Sequence, residues 1–242
     1  MARFLLIHGS CHGAWCWRDL LPALSAQGHM VEAIDLPAHG NDHTHAAEAT
    51  LDLYVDRILA AIDAPVTLVG HSAAGYPITL AAERMPEKVA RLVYLCAYVP
   101  KPGLSMIDMR RAGPRQTLQG AVQVAPDGFT YSVDVARAGA IFYNDCPDEA
   151  VGYARPRLCP EPIGPQSTVL PPLDRWHDVE RHYILCEDDR TIPPEYQAVM
   201  SEDFAPGHVI RLASGHSPFF SMPARLAETL TAIAAPWGPD RT

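Results

Sequence analysis

Val66-Thr67-Leu68-Val69-Gly70-His71-Ser72-Ala73-Ala74-Gly75 carries an apolar, β-branched run directly into a turn of small residues and out into a helical pattern. A sharp strand-turn-helix of this kind holds a serine hydroxyl at the carboxyl edge of a parallel sheet, and it requires little bulk two positions either side of the serine. Gly70 and Ala74 stand there; Ala74 departs from the second glycine of GxSxG but keeps the steric requirement. Ser72 would also begin a helix, where the amide of Ala73 has no intrahelical acceptor and can bind a developing oxyanion. The same residues would also suit a glycine-bounded turn in an unrelated parallel sheet, so the remaining chemistry must come from elsewhere in the chain.

Working outward, short apolar runs alternate with helical spacing, as in a parallel sheet with crossover helices. Strands are expected at Phe4 to Ile7, Met30 to Ile34, Val66 to Val69, Leu92 to Cys96, His182 to Cys186 and His208 to Leu212. Helices are expected at Trp15 to Ala26, Leu51 to Ile62, Ala73 to Met85, Pro194 to Glu202 and Pro223 to Ala234. The alternation fails between about Pro100 and Arg181, where proline and glycine are dense; a structureless loop of that length is uncommon unless it has a function. Residues 1–99 and 181–242 are therefore expected to form one α/β core, with 100–180 inserted as a cap that holds some helix around Asp148 to Arg155. The tail from Pro236 to Thr242 is expected to fray.

The 242 residues suffice for one substantial core, and 48% hydrophobic with 19% charged residues is ordinary for a folded chain. A net charge of −9 disfavours nucleic acid, whose phosphates need clustered lysine and arginine. No apolar run is long enough to span a membrane, and the opening Met1-Ala2-Arg3-Phe4-Leu5-Leu6-Ile7 is too short for a signal peptide, so a cytoplasmic protein is expected. Six cysteines without a CxxC pair read as buried thiols. A homodimer is compatible with the sequence, which does not encode oligomeric state legibly.

A serine hydroxyl needs a neighbouring base and an orienting carboxylate. Ser214-Gly215-His216-Ser217-Pro218 follows the last expected strand, which makes His216 the candidate base in the chain order serine, acid, histidine. The acid belongs just after the preceding strand, where Glu187, Asp188 and Asp189 all qualify by spacing. A second oxyanion donor is expected from His8-Gly9-Ser10-Cys11-His12-Gly13, with the amide of Ser10 as candidate. His39, His43 and His45 resemble a metal cluster in composition, but they lack HExxH spacing and companion ligands, and no metal or cofactor is expected.

With those pieces placed, His8-Gly9-Ser10-Cys11-His12-Gly13-Ala14-Trp15, Gly28-His29, Ala33-Ile34-Asp35-Leu36-Pro37, Gly70-His71-Ser72, Ala90-Arg91-Leu92-Val93-Tyr94-Leu95, Asp189-Arg190-Thr191-Ile192-Pro193 with Glu195-Tyr196-Gln197, and Gly215-His216 resemble the plant methylesterase and hydroxynitrile lyase family and its bacterial esterase relatives. The resemblance spans most of the chain outside the insert and implies the α/β-hydrolase fold, a mostly parallel sheet flanked by helices with an inserted cap. It implies Asp189 as the acid, with Asp188 as runner-up, the amides of Ser10 and Ala73 as the oxyanion hole, and a pocket between sheet and cap.

Both ester hydrolysis and cyanohydrin cleavage occur on that framework. The lyases carry a threonine after the first-strand histidine and a lysine directly after the catalytic histidine; Gly9 and Ser217 stand here. Without that cation the expected activity is hydrolysis of a small-molecule ester through an acyl-enzyme. A ligand receptor with little turnover is the rival of another class, which an intact triad disfavours. Gly9, Cys11 and His12 beside the oxyanion hole, and Phe129, Phe142 and Phe219, are the expected substrate contacts; Tyr131, Tyr143 and Phe220 are further aromatic candidates.

Overall fold

The computed structural model describes residues 1–235, and the tail from Pro236 to Thr242 expected to fray lies outside the described residues. Strand and helix alternate through β1 (Arg3–Ile7), α1 (Leu20–Ala26), β2 (Met30–Ile34), α2 (Leu51–Ala60), β3 (Val66–His71), α3 (Gly75–Arg84) and β4 (Val89–Leu95). There follow α4 (Met106–Ala112), β5 (Val122–Val124), β6 (Thr130–Val133), α5 (Val135–Phe142), α6 (Asp148–Ala154), β7 (Glu161–Pro162) and α7 (Ile163–Ser167). Last come β8 (Arg181–Cys186), α8 (Pro194–Met200), β9 (Val209–Leu212), α9 (Pro218–Ser221) and α10 (Pro223–Ala234).

Six strands form one sheet in the order β2-β1-β3-β4-β8-β9, with every pairing parallel. Side chains of a strand alternate between faces, and a parallel sheet must bury both. Leu5, Leu68, Leu92 and Tyr94 accordingly join one core with α2 and α3, while Phe4, Leu6, Val69 and Val93 join the other with α1 and α10. β5, β6 and β7 form a separate antiparallel sheet. Its Tyr131 and Val133, with Ile141 and Phe142 of α5, pack in the same core as Trp17 and Phe219, which ties the insert to one end of the main sheet.

Two expectations change. Trp15 to Ala26 is not one helix: a 3-10 turn over Ala14–Trp17 precedes α1. Pro22 has no amide to bond the carbonyl of residue 18, so the α-helix can begin only within the turn that holds the proline. The span from Pro100 to Arg181 contains three strands and helices α4, α5 and α7 besides the expected α6. Local side-chain caps set two of them: Ser105 and Asp108 form a reciprocal capping box on α4, and Asp134 accepts from the amide of Ala136 at the start of α5.

The end of β3 is fixed by a close approach. Tyr98, just past β4, donates its amide to the carbonyl of Ser72 at 3.0 Å, and a Cβ on Gly75 would overlap the carbonyl oxygen of Tyr98. Gly75→Ala is therefore expected to cost about 1–3 kcal/mol through forced backbone displacement. Thermal melting checks this; an unchanged midpoint would mean that the segment after β4 yields freely.

Candidate active site

Ser72 sits where β3 ends and a 3-10 turn over Ser72–Ala74 leads into α3. Its φ of 56° lies in the left-handed region, a strain on the order of 1–3 kcal/mol for a residue with a side chain. Small neighbours make the turn feasible: a Cβ on Gly70 would lie 2.7 Å from Cδ1 of Ile78, and one on Gly9 would lie 2.8 Å from Cβ of Ser72. The loop after β1 is thus pressed against the serine, which brings Ser10 and Ser72 to one cleft.

His216 follows β9 and lines the same cleft. Its Nδ1 donates to Oδ2 of Asp189 at 2.8 Å, and both side chains are almost wholly buried. Asp189 is a saturated acceptor: Oδ2 also receives Nε2 of Gln197 at 2.8 Å, and Oδ1 receives the amides of Thr191 at 2.6 Å and Ile192 at 2.9 Å. Glu187 and Asp188, equally placed by spacing, are exposed. Nε2 of His216 and Oγ of Ser72 make no hydrogen bond to any described residue, and both residues line the cleft.

The backbone of His216 is held as well. Its carbonyl accepts Nε2–H of His71 at 2.9 Å and the thiol of Cys96 at 3.4 Å. Burial, with the nearby His216 and His12, pushes the His71 imidazole well below its ordinary value, so it stays neutral. Nδ1 of His12 donates to the carbonyl of Ser10 at 2.7 Å and its Nε2 accepts the hydroxyl of Tyr143 at 2.7 Å, which fits a neutral ring whose pKa burial brings down to about 4. The ring of Phe142 lies near-parallel to that of His216, with centroids 6.1 Å apart.

The expected contacts divide. Ser10, His12 and Phe142 line the cleft with Ser72 and His216, while Gly9 and Ala73 line an adjoining cavity that shares Ser10. Three expectations are corrected. Cys11 is buried away from the cleft, held at φ 61° with its amide donated to Glu161. Phe129 is 48% exposed, because it sits in the turn leading into β6. Phe219 is buried under the histidines, against Trp17 and His71 with centroids 4.9 and 5.0 Å away; it supports the site and does not line it. His43 and His45 are exposed while His39 is buried, so these three do not converge.

The insert supplies residues that sequence reasoning missed. Glu161 is buried and accepts the amide of Cys11 at 2.7 Å, Nε2 of His39 at 2.9 Å and Nε2 of Gln166 at 2.8 Å. Gln166 also reaches Oγ of Ser10 at 2.7 Å. Nδ1 of His39 faces the carbonyl of Pro37 at 3.0 Å, so both ring nitrogens meet acceptors and the imidazolium is the form that satisfies both. Burial opposes that charge, but Glu161 prevails and the His39 pKa lies above its ordinary value. No sequence signal marks Glu161, because Cys11 and His39, which fix its role, lie more than a hundred residues away.

A raised histidine pKa stabilises the fold fully below the unfolded value near 6.5 and loses that stabilisation as pH rises through the folded value. Glu161→Ala should cost about 3 kcal/mol near neutral pH. The melting points of wild type and Glu161→Gln should converge as pH rises above the unfolded histidine value near 6.5 and through the raised folded value; a gap that widens with pH would contradict a charged pair.

A profile described as the alpha/beta hydrolase family matches residues 4–229. Methylesterase 1 of Arabidopsis thaliana is 31% identical over 96% of this chain and 95% of that protein. A pyrethroid hydrolase of Sphingobium wenxiniae is 32% identical over 95% of this chain and 86% of that protein. The solved structure of a pyrethroid hydrolase from Sphingobium faniae JZ-2 superposes with a TM-score of 0.86, at 30% identity and 96% and 97% coverage of the two chains. With a parallel sheet that delivers a serine on a strained strand end, and a profile match over nearly all its length, the chain belongs to the alpha/beta hydrolase family.

Proposed function

We propose that this protein is a serine carboxylic-ester hydrolase in which Ser72 is the nucleophile, His216 the base and Asp189 the orienting acid. The observation that carries the reading is the buried 2.8 Å bond from Nδ1 of His216 to Asp189, which fixes the tautomer whose bare Nε2 can accept a proton at the cleft holding Ser72. The ester-hydrolysing relatives named above support the reaction class.

Nε2 of His216 takes the Ser72 proton as Oγ bonds to the ester carbonyl carbon, whose π electrons move onto oxygen. The amides of Ser10 and Ala73 receive that oxyanion: the first donates to no group among the described residues and the second opens a helix, where amides lack intrahelical acceptors. The carbonyl re-forms, the alkoxide leaves and takes the proton from His216. Water then repeats the sequence on the acyl-enzyme, with His216 again as base, and releases the acid. Ser217, directly after His216, is buried and uncharged, so that position offers no cation for a departing cyanide.

Residues 100–180 act as the cap, and Leu118, Tyr131, Val133 and Phe142 give it an apolar ceiling over the serine. Among the described residues no helix is long and apolar enough to cross a membrane. A cytoplasmic location is supported by six free thiols. The reading is tested with short p-nitrophenyl esters: a burst of nitrophenol stoichiometric with enzyme, then slower turnover, is expected, and binding without release of nitrophenol would favour a receptor.

A further inference from the structure

Eight of the sixteen described arginines pair with carboxylates. Arg115 grips both oxygens of Glu195 at 2.8 and 2.9 Å, Arg91 pairs with Glu180 at 3.0 Å and Arg18 with Glu149 at 2.7 Å. Arg110 is different. It is half-buried on the wall of the cleft that holds Ser72 and His216, and its guanidinium has no hydrogen bond, ion pair or ring contact with any described residue.

The helix that carries it is firmly placed. The Ser105–Asp108 capping box starts α4, the hydroxyl of Tyr76 holds the carbonyl of Leu104 at 3.2 Å, and that of Tyr196 holds the carbonyl of Met109 at 2.9 Å. Met106 and Met109 are buried, and Arg110 follows Met106 by one turn on the same helix face. The positive charge of Arg110 is felt at the phenol of Tyr98, another residue of the cleft wall.

The rest of the wall offers that charge no carboxylate. His12 and His71 are neutral, Leu118, Val133 and Phe142 are apolar, and Tyr131 donates its hydroxyl to Gln166. The nearest buried carboxylates are engaged: Asp189 accepts four donors, and Glu161 accepts Cys11, His39 and Gln166. Among the described residues Arg110 is thus the one permanent charge on the wall. A guanidinium fork matches a carboxylate with two parallel hydrogen bonds, and a carboxylate enters an apolar cleft only where such a partner offsets its lost hydration. The net charge of −9 opposes anion entry at long range, so a preference for anions has to come from this local cation.

We propose that Arg110 is a specificity residue that selects esters bearing a free carboxylate, such as half-esters of dicarboxylic acids, by holding the carboxylate while Ser72 attacks the ester carbonyl. This rests on the serine-esterase reading above. The test compares kcat/KM for the monomethyl and dimethyl esters of one short dicarboxylic acid in wild type, Arg110→Met, Arg110→Lys and Arg110→Glu, with thermal melting to show that each variant is folded.

Wild type should favour the half-ester. Arg110→Met should cut the ratio of half-ester to diester by about tenfold or more, as expected for loss of a charged hydrogen-bonded contact, chiefly through KM of the half-ester. Arg110→Lys should restore part of the ratio and Arg110→Glu should lower it further. A ratio equal in wild type and Arg110→Met, or a wild type that cleaves p-nitrophenyl esters and prefers the diester, overturns the proposal and leaves the esterase reading standing. Failure of wild type to turn over any ester, p-nitrophenyl acetate included, sinks both.

Discussion

Ser72→Ala is expected to lower kcat for a p-nitrophenyl ester by on the order of 10⁴ to 10⁶, with the fold intact. The substitution removes one oxygen and nothing that shapes the turn. The carbonyl of residue 72 still receives the amide of Tyr98, Gly70 still clears Ile78, and His216 keeps its bond to Asp189. Alanine meets the same left-handed φ that serine tolerates, so the melting point should move little. KM should also change little, because the cleft walls and the amides of Ser10 and Ala73 remain. A variant that kept even a hundredth of wild-type turnover would mean that another group or a bound water attacks the ester.

Asp189→Asn should lower kcat by about 10⁴, a loss that geometry explains. Two backbone amides point at Oδ1, so the asparagine must turn its carbonyl oxygen to Thr191 and Ile192. Its NH2 then faces both Nδ1 of His216 and the amide of Gln197, groups that donate to Oδ2 in the native site. His216 can meet that NH2 only by baring Nδ1 and moving its proton to Nε2, and a protonated Nε2 cannot take the hydrogen of Ser72. Activity of Asp189→Asn should be limited at every pH by this tautomer. Asp188→Asn is the comparison, since that side chain is exposed; a crippled Asp188→Asn beside an active Asp189→Asn would reverse the assignment.

The sheet was legible because parallel strands buried on both faces read as short apolar runs, and the serine turn because its neighbours must be small. Gly70 and Ala74 were recognised on that ground, whereas Gly75, needed for the approach of Tyr98, was not: the contact joins segments that only the β3–β4 pairing brings together. Spacing left three carboxylates after β8; burial separates them, since Asp189 turns inward and Glu187 and Asp188 outward. The insert was opaque for a related reason. β7 is two residues long, and Glu161 is placed by His39 and the amide of Cys11, not by any local periodicity. Aromatic composition pointed to Phe129, yet a turn position leaves it exposed, while Arg110, with no motif around it, faces the cleft.

The most direct test is to treat wild type and Ser72→Ala with a fluorophosphonate and to read the intact mass and the modified peptide. If Ser72 is the nucleophile, wild type gains one phosphonyl group on the peptide that contains it and loses ester hydrolysis in step, while Ser72→Ala gains none. An unlabelled wild type, or a label on any other residue, would contradict a serine esterase built on Ser72.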